Sequence, residues 1–174
     1  MIVLAAHGLA CHRGTRTVLR DVNVAFSTGE VVVVVGPNGS GKTTLLRHLG
    51  GLDSAVAGRV EIDGQPIDEV APGARARRVA FLPQGASAYW PLLGRDLVAL
   101  GRLPHGANLS RPLASADSDA VQRALARVDG APLAERPIDT LSQGERARLM
   151  LGRTLATEAG IVLADEPVAI ASRA

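Results

Sequence analysis

The chain has 174 residues, of which 47% are hydrophobic, enough for one sizeable core and a single globular domain. Its net charge is +2, its arginines are scattered among 17 acidic residues, and only 2% of residues are aromatic, so we expect no nucleic-acid partner. No apolar run approaches the ~20 residues of a membrane-spanning helix. The single cysteine excludes an intramolecular disulfide and no leader pattern precedes the first strand, so we expect a cytoplasmic protein.

Two segments near the N-terminus alternate apolar and polar residues, as half-buried β-strands do. They cover residues 2–9 and 17–26, and the turn at residues 13–15 predicts that they pair as antiparallel strands. Residues 31–35 are five consecutive valines, which predict a fully buried parallel strand. Residues 43–49 predict a helix that ends at the glycine pair 50–51, and residues 58–62 predict another strand.

A glycine-rich loop separates the valine run from the first predicted helix. Its sequence fits the phosphate-binding pattern G-x-x-x-x-G-K-[ST] at every fixed position: Gly36, Pro37, Asn38, Gly39, Ser40, Gly41, Lys42 and Thr43. Backbone N–H groups of such a loop form a nest for phosphate oxygens, and the helix N-terminus adds partial positive charge. A chance glycine turn is the alternative, but the strand before the loop and the helix after it favour a nucleotide site.

The two residues that end this loop have side chains suited to a nucleotide. Lys42 is the only lysine among 19 basic residues, so its presence here is not explained by composition. Its ammonium group would reach the β- and γ-phosphates, and the Thr43 hydroxyl would ligate Mg²⁺. Both residues therefore predict binding of a nucleotide with its metal ion.

The middle of the chain contains one further candidate ligand. Three arginines at positions 75, 77 and 78 are typical of a solvated helix face. The apolar run 79–82 after them predicts a short strand that ends at Pro83 and is followed by Gln84. Ligands in α/β sheets bind at the carboxyl ends of strands, so Gln84 would contact Mg²⁺ or an attacking water. An ordinary exposed glutamine is the alternative interpretation.

Tyr89 and Trp90 stand together in a segment bracketed by Gly85 and Pro91. Such a pair is equally consistent with a docking surface and with anchoring in the core, because both residue types occur in both places. Residues 92–103 and 114–128 then predict two helices.

The last part of the chain combines a helix start with a strand that ends in two acids. Ser142 and Glu145 form a capping-box pattern and predict a helix to about residue 157. Residues 161–164 predict a buried strand, which Asp165 and Glu166 follow. Asp165 would hold Mg²⁺, and Glu166 would orient and deprotonate a water molecule for attack on a γ-phosphate.

Taken together, the glycine loop, Gln84, residues 141–145 and residues 161–167 resemble the nucleotide-binding domain of ATP-binding cassette (ABC) transporters in order and spacing. The resemblance implies an α/β fold with a P-loop NTPase core and a mostly parallel sheet. It also implies an N-terminal antiparallel β-layer and a helical subdomain at about residues 85–158, all within one domain of residues 1–174. The resemblance implies that ATP is bound by the loop residues from Gly36 through Thr44. It implies that Mg²⁺ is bound by Thr43, Gln84 and Asp165.

The family also implies a head-to-tail homodimer that holds ATP between two subunits. In it, Ser142 and Gly144 of one subunit bind the γ-phosphate held by the other, and Gln143 and Glu145 complete the nucleotide-binding signature. Gln143 stands where the family has glycine, a mild departure.

Within this family, the sequence looks most like the ATPases of importers for ferric siderophores, haem and vitamin B12. The likeness lies in residues 81–84, 89–92 and 99–105. That likeness implies membrane permease subunits that dock near Tyr89 and Trp90, and an indirect link to a substrate-binding protein. It places the protein peripherally on the inner face of the membrane.

Two departures from the family pattern leave alternatives open. Arg13 stands where the family stacks an aromatic residue on adenine, and its guanidinium plane can stack in the same way. After Pro167 the sequence contains neither the aspartate loop nor the switch histidine of the family, so we expect a fragment or a weakly hydrolysing truncated protein. A nucleotide-binding module without transport, such as a soluble cassette protein of translation or DNA repair, is the second hypothesis. A P-loop kinase is a distant third.

Overall fold

The computed structural model describes residues 3–85 and 92–166. Tyr89, Trp90 and the segment from Pro167 onward lie outside the described residues. The chain divides into two compact units, Met1–Arg75 and Ala76–Ala174. The prediction of one domain with a helical subdomain at residues 85–158 is not tested by this division and stays a prediction.

The first unit is built on an antiparallel sheet. Its strands are β1 (Val3–Arg13), β2 (Arg16–Ser27), β3 (Ala57–Ile62) and β4 (Gln65–Pro66), in the order β2-β1-β3-β4. Helix α1 (Lys42–Leu49) lies against β1 and β2, and the side chains of Leu49, Leu9 and Ile62 are fully buried in this unit. The predicted hairpin, the helix and the strand at residues 58–62 are therefore confirmed.

The prediction of a buried strand at residues 31–35 is wrong. These valines form no strand, and four of the five have more than half of their surface exposed, with Val31 at 94% and Val35 at 84%. A buried strand needs hydrogen-bond partners along its edges and side chains over its faces. No strand pairing or backbone hydrogen bond involves residues 31–35 in the part of the chain that the structure describes. The prediction rested on valine content alone, and an apolar segment becomes a buried strand only where neighbouring strands pair with it.

The second unit packs helices beside a short parallel sheet. Strands β5 (Val79–Leu82) and β6 (Ile161–Ala164) pair in parallel, with Val79 opposite Ile161, so both predicted strands are confirmed. The prediction that residues 161–164 are buried is wrong: only Leu163 of β6 is buried and Val162 is 45% exposed, because β6 pairs with β5 alone in the described part of the chain. Helix α2 (Pro72–Arg78) precedes β5, and helices α3 (Gly94–Ala99), α4 (Ser115–Arg127) and α5 (Gln143–Ala156) follow it. Their core contains the fully buried side chains of Leu97, Val98, Ile138 and Leu149.

The helix predicted at residues 92–103 is shorter and changes type. Leu92 and Leu93 are extended, because Leu93 bridges to Pro137 and the Leu92 carbonyl accepts a hydrogen bond from Ile138 at 2.9 Å. Helix α3 ends at Ala99 and continues as a 3₁₀ helix, Leu100–His105, that contains Pro104. The helices at 114–128 and after Ser142 are confirmed within one or two residues.

No helix within residues 3–85 and 92–166 is long and apolar enough to cross a membrane; α5 has 14 residues. Cys11 is a buried free thiol on β1.

The exposure of the valine run is tested by introducing a charge. We expect Val33→Lys to change the free energy of unfolding by no more than about 0.5 kcal/mol, because Val33 is 75% exposed. The control, Val60→Lys, should cost at least about 3 kcal/mol, because Val60 is 5% exposed and the ammonium would be buried. Urea unfolding followed by circular dichroism measures both. Equal losses for the two variants would show that residue 33 is buried.

Candidate functional site

The loop at residues 36–41 closes on itself at the start of α1. The Ser40 amide donates to the Pro37 carbonyl at 3.2 Å, and a Cβ added to Gly36 would lie 2.8 Å from the Ser40 hydroxyl oxygen. All residues of the loop from Gly36 to Ser40 are exposed. The loop is thus a compact turn of backbone that is open to a ligand.

Gly41 is required by both conformation and packing. Its φ angle is +97°, in the left-handed region, and it forms the N-cap of α1. A Cβ at this position would lie 3.0 Å from Val18 Cγ1 and 3.1 Å from Leu19 Cδ2 on β2. Gly39 also has a positive φ, +79°, but a Cβ there would meet nothing within 4 Å. Gly41 therefore sets the beginning of α1 against the antiparallel sheet.

Lys42 folds over the loop that precedes it. Its Nζ donates hydrogen bonds to the carbonyls of Gly36 at 2.8 Å and Pro37 at 3.1 Å. The ammonium group is therefore held beside the turn, and Thr43 is exposed on the first turn of α1. An ammonium, the free N-terminus of a helix and glycines with positive φ are the groups that bind a phosphate chain. These residues fit a nucleotide.

In the second unit, the parallel strands bring two predicted residues together. Gln84 follows β5 and Glu166 follows β6, and the Gln84 Nε2 donates a hydrogen bond to the Glu166 carboxylate. The Asp165 amide donates to the Leu82 carbonyl at 2.9 Å, which extends the pairing of the two strands. Glu166 has a φ of +50°, a left-handed conformation that turns the chain directly after the strand. The predicted base and the predicted glutamine are therefore in contact.

Asp165 is suited to hold a cation. The residue is only 4% exposed, and no hydrogen bond or ion pair engages its carboxylate among the described residues. A nearly buried carboxylate without a protein partner is stabilised by a bound cation. No cluster of three or more acidic, histidine or cysteine ligands occurs within residues 3–85 and 92–166. The carboxylate of Asp165 is an oxygen ligand of the kind that Mg²⁺ takes, alongside water and phosphate oxygens.

Ser142 and Glu145 form the predicted capping box at the start of α5. The Ser142 amide donates to Glu145 Oε2 at 2.8 Å, and the Glu145 amide donates to the Ser142 hydroxyl at 3.3 Å. The Ser142 backbone amide is the main reason that the pKa of Glu145 is lowered, and Arg136 contributes through a 3.0 Å ion pair. Gln143 and Gly144 are exposed on the first turn. The cap thus presents this turn to its surroundings in a fixed conformation.

The other end of α5 is held by residues whose role the sequence did not reveal. The buried Arg102 donates to the Ala156 carbonyl at 2.9 Å and pairs with Asp117 at 2.8 Å and Glu158 at 3.0 Å. His105 Nε2 lies 2.9 Å from the Thr157 carbonyl. These contacts satisfy carbonyl groups at the C-terminus of α5, which otherwise lack partners. The stretch 99–105, singled out as a family likeness, therefore anchors the helix that Ser142 begins.

Three other predicted site residues, Arg13, Tyr89 and Trp90, remain predictions. Arg13 ends β1 opposite Arg16, and its side chain is outside what the structure describes. Tyr89 and Trp90 lie in the undescribed segment 86–91, so neither docking nor core packing is tested.

Comparison with known proteins agrees with the resemblance found in the sequence. The ABC transporter family model matches residues 19–169. The hemin import ATP-binding protein HmuV of Nocardia farcinica is 43% identical over 173 residues, which cover 97% of this chain and 59% of that protein. The cobalamin import ATP-binding protein BtuD of Halobacterium salinarum is 42% identical over 156 residues, covering 90% of this chain and 38% of that protein. The chain thus spans a little more than half of the length of the HmuV relative and less than half of the length of the BtuD relative.

The fold has a close counterpart among solved structures. A nucleotide-free ATP-binding cassette from an ABC transporter superposes with a TM-score of 0.82 at 23% identity, covering 100% of this chain and 72% of that one. The α/β fold class inferred from the sequence is therefore confirmed.

The packing of Gly41 against β2 is tested by comparing two glycines of the loop. We expect Gly41→Ala to destabilise the protein by at least about 1 kcal/mol more than Gly39→Ala. Both substitutions strain a positive φ, but only the methyl group at position 41 meets Val18 and Leu19. Thermal unfolding of the two variants measures the difference. Equal losses would contradict the close contact with β2.

Proposed function

This chain belongs to the ABC transporter family, and we propose that it is the ATP-binding and ATP-hydrolysing part of an importer for haem, vitamin B12 or iron chelates. The observation that carries the proposal is the glycine loop closed under Lys42, in a chain whose relatives are named as hemin and cobalamin import ATP-binding proteins.

ATP would bind with its phosphates on residues 36–44. Lys42 Nζ donates its hydrogen bonds to carbonyls of the loop itself, those of Gly36 and Pro37. When ATP binds, Nζ would donate to phosphate oxygens in place of these carbonyls while staying at the loop. Loop amides and the N-terminus of α1 would complete the anion site. Arg13 would stack on the adenine through its guanidinium plane.

Hydrolysis would depend on the pair formed by Gln84 and Glu166. Glu166 would accept a proton from the water that attacks the γ-phosphate, which makes that water a stronger nucleophile. The amide of Gln84, already bonded to this carboxylate, would fix its orientation and contact the same water. Because the pair joins the ends of β5 and β6, movement of either strand end would disturb both groups.

Mg²⁺ would be held by Asp165, Thr43 and Gln84. When bound, the ion offsets the negative charge that the phosphates develop during transfer. The nearly buried, unpaired carboxylate of Asp165 supports its role as the main protein ligand.

The signature residues 142–145 would serve a second copy of the chain in a head-to-tail dimer. Ser142 and Gly144 would contact the γ-phosphate bound by the partner, with Gln143 and Glu145 beside them. The exposed first turn of α5 supports this, because a Cβ at Gly144 would meet none of the described residues within 4 Å. None of those residues therefore requires glycine at that position.

The dimer would act on the inner face of the cell membrane, bound to two integral-membrane permease subunits near Tyr89 and Trp90. A substrate-binding protein would contact the permease and not this chain. The helical subdomain at residues 85–158 would transmit the state of the nucleotide to the permease. Its helices α3, α4 and α5 share one core, which supports movement as a body.

Nucleotide binding is tested by removing the ammonium group of Lys42. We expect the 174-residue chain to bind mant-ATP in the presence of Mg²⁺, and Lys42→Ala to weaken binding by about tenfold or more through loss of charged hydrogen bonds. Fluorescence titration measures both affinities. Arg111→Ala, which removes one charge from an exposed loop, should bind as the wild type does. Wild-type affinity in Lys42→Ala would overturn the proposed site.

The signature turn is tested by Gly144→Ala. We expect unchanged or higher thermal stability, by up to about 1 kcal/mol, because alanine favours a helix more than glycine does. Dimer formation with Mg-ATP should nevertheless weaken, because the methyl group would occupy space needed by the partner's γ-phosphate. Light scattering with and without Mg-ATP measures the dimer. Dimerisation equal to that of the wild type would argue against a signature contact.

A further inference from the structure

The first turn of α5 is contacted from outside the helix by the guanidinium of Arg136. Its Nη1 donates to Glu145 Oε1 at 3.0 Å, and its Nη2 donates to the Thr140 carbonyl at 3.4 Å. Thr140 precedes Ser142 by two residues, and Glu145 follows it by three. Arg136 therefore bonds to the chain on both sides of Ser142.

The Glu145 carboxylate is held through both of its oxygens. Oε2 accepts a hydrogen bond from the Ser142 backbone amide at 2.8 Å, as in any capping box, and Oε1 accepts from Arg136. A capping box needs only one of these oxygens, so the second, charge-assisted bond restricts the rotation of the carboxylate. The conformation of the signature turn therefore depends on a residue that lies outside it.

Arg136 is itself held by the beginning of α3. The Gly94 amide donates to the Arg136 carbonyl at 3.0 Å, and the Arg95 amide donates to the Ala134 carbonyl at 2.8 Å. The two segments are close together, because a Cβ added to Gly94 would lie 2.3 Å from the Leu133 carbonyl oxygen. The guanidinium is therefore supported by backbone contacts behind it as well as by the turn that it contacts.

These contacts affect the geometry of the turn more than the stability of the fold. The side chain of Arg136 is 45% exposed, and exposed ion pairs contribute little to the free energy of unfolding. A site that binds a phosphate held by another molecule is sensitive to small displacements of its groups. Loss of the Arg136 guanidinium should therefore alter nucleotide-dependent assembly and leave the unfolding temperature nearly unchanged.

We propose that Arg136 is a positioning residue that holds Ser142 and Gly144 in the orientation in which they bind the γ-phosphate of the partner's nucleotide. The role rests on the proposed head-to-tail dimer. Arg136 acts through Glu145 and the Thr140 carbonyl, which already occupy two of its donors, and does not itself contact the phosphate.

The first test measures dimer formation of the 174-residue chain by sedimentation velocity with and without Mg-ATP. We expect Arg136→Gln to weaken the Mg-ATP-dependent dimer by about fivefold or more, since each dimer contains two such turns. Arg136→Lys keeps the charge beside Glu145 but lacks the planar fork that also reaches the Thr140 carbonyl, so its dimer should be intermediate. Both variants should bind mant-ATP as the wild type does, at protein concentrations too low for dimers, because the nucleotide loop lies in the other unit.

Arg95→Gln is the matched control. The Arg95 side chain is 49% exposed and pairs with Glu135, so the substitution removes an ion pair of the same kind from the same region. It leaves the bonds of the signature turn intact, and we expect a dimer as strong as that of the wild type. Thermal unfolding of Arg95→Gln and Arg136→Gln should give midpoints within about 2 °C of each other.

The second test follows the turn itself in the monomer without nucleotide. We expect the amide hydrogens of Ser142 and Glu145 to exchange with solvent about threefold or more faster in Arg136→Gln, because one oxygen of the Glu145 carboxylate is then released. Exchange in Arg95→Gln should match the wild type. NMR of the ¹⁵N-labelled chain measures these rates.

The outcomes distinguish this role from the dimer on which it rests. A wild-type chain that stays monomeric with Mg-ATP would contradict the dimer, and the positioning role with it. A wild-type dimer that is equally strong in Arg136→Gln, or turn amides that exchange at the wild-type rate in that variant, would overturn the role of Arg136 alone. An equally weakened dimer in Arg95→Gln would do so too, because it would indicate a general effect of surface charge.

Discussion

The close approach of Gly41 to β2 is the contact on which the candidate nucleotide site depends. With a φ of +97° and a Cβ position only 3.0 Å from Val18 Cγ1 and 3.1 Å from Leu19 Cδ2, Gly41 fixes where α1 begins relative to the sheet. The position of α1 in turn places Lys42 over the carbonyls of Gly36 and Pro37. Apart from Lys42, this anion site is made of backbone groups, so its affinity depends on how accurately the backbone is held. The antiparallel sheet is therefore the support of the phosphate loop.

In the second unit, helix α5 is held in place by side chains at both of its ends. The capping box of Ser142 and Glu145 satisfies the N-terminal amides of α5, and Arg102 and His105 bind the carbonyls at residues 156–157. Arg102 is buried, so its two carboxylate partners offset the cost of removing its charge from water. A helix fixed in this way keeps its exposed first turn in place. Arg153, on the same helix, differs, because no carboxylate among residues 3–85 and 92–166 pairs with its guanidinium.

The sequence predicted the features that depend on residues close together in the chain. Alternation identified β1 and β2, the pattern of Ser142 and Glu145 identified the start of α5, and the loop pattern identified residues 36–43. The local sequence patterns did not predict contacts between residues far apart in the chain. The bond between Gln84 and Glu166 joins residues 82 positions apart, and Arg102 reaches Glu158 across 56 positions. The valine run shows the same limit, because its apolar character predicts burial only when strands are present beside it.

The central claim is that residues 36–44 bind the phosphates of ATP, and an amide NMR titration of the ¹⁵N-labelled chain with Mg-ATP tests it most directly. The account predicts that the amides of Gly39, Ser40, Gly41, Lys42 and Thr43 show the largest shifts and saturate together. Saturating shifts confined to other residues, or none at millimolar Mg-ATP, would contradict it.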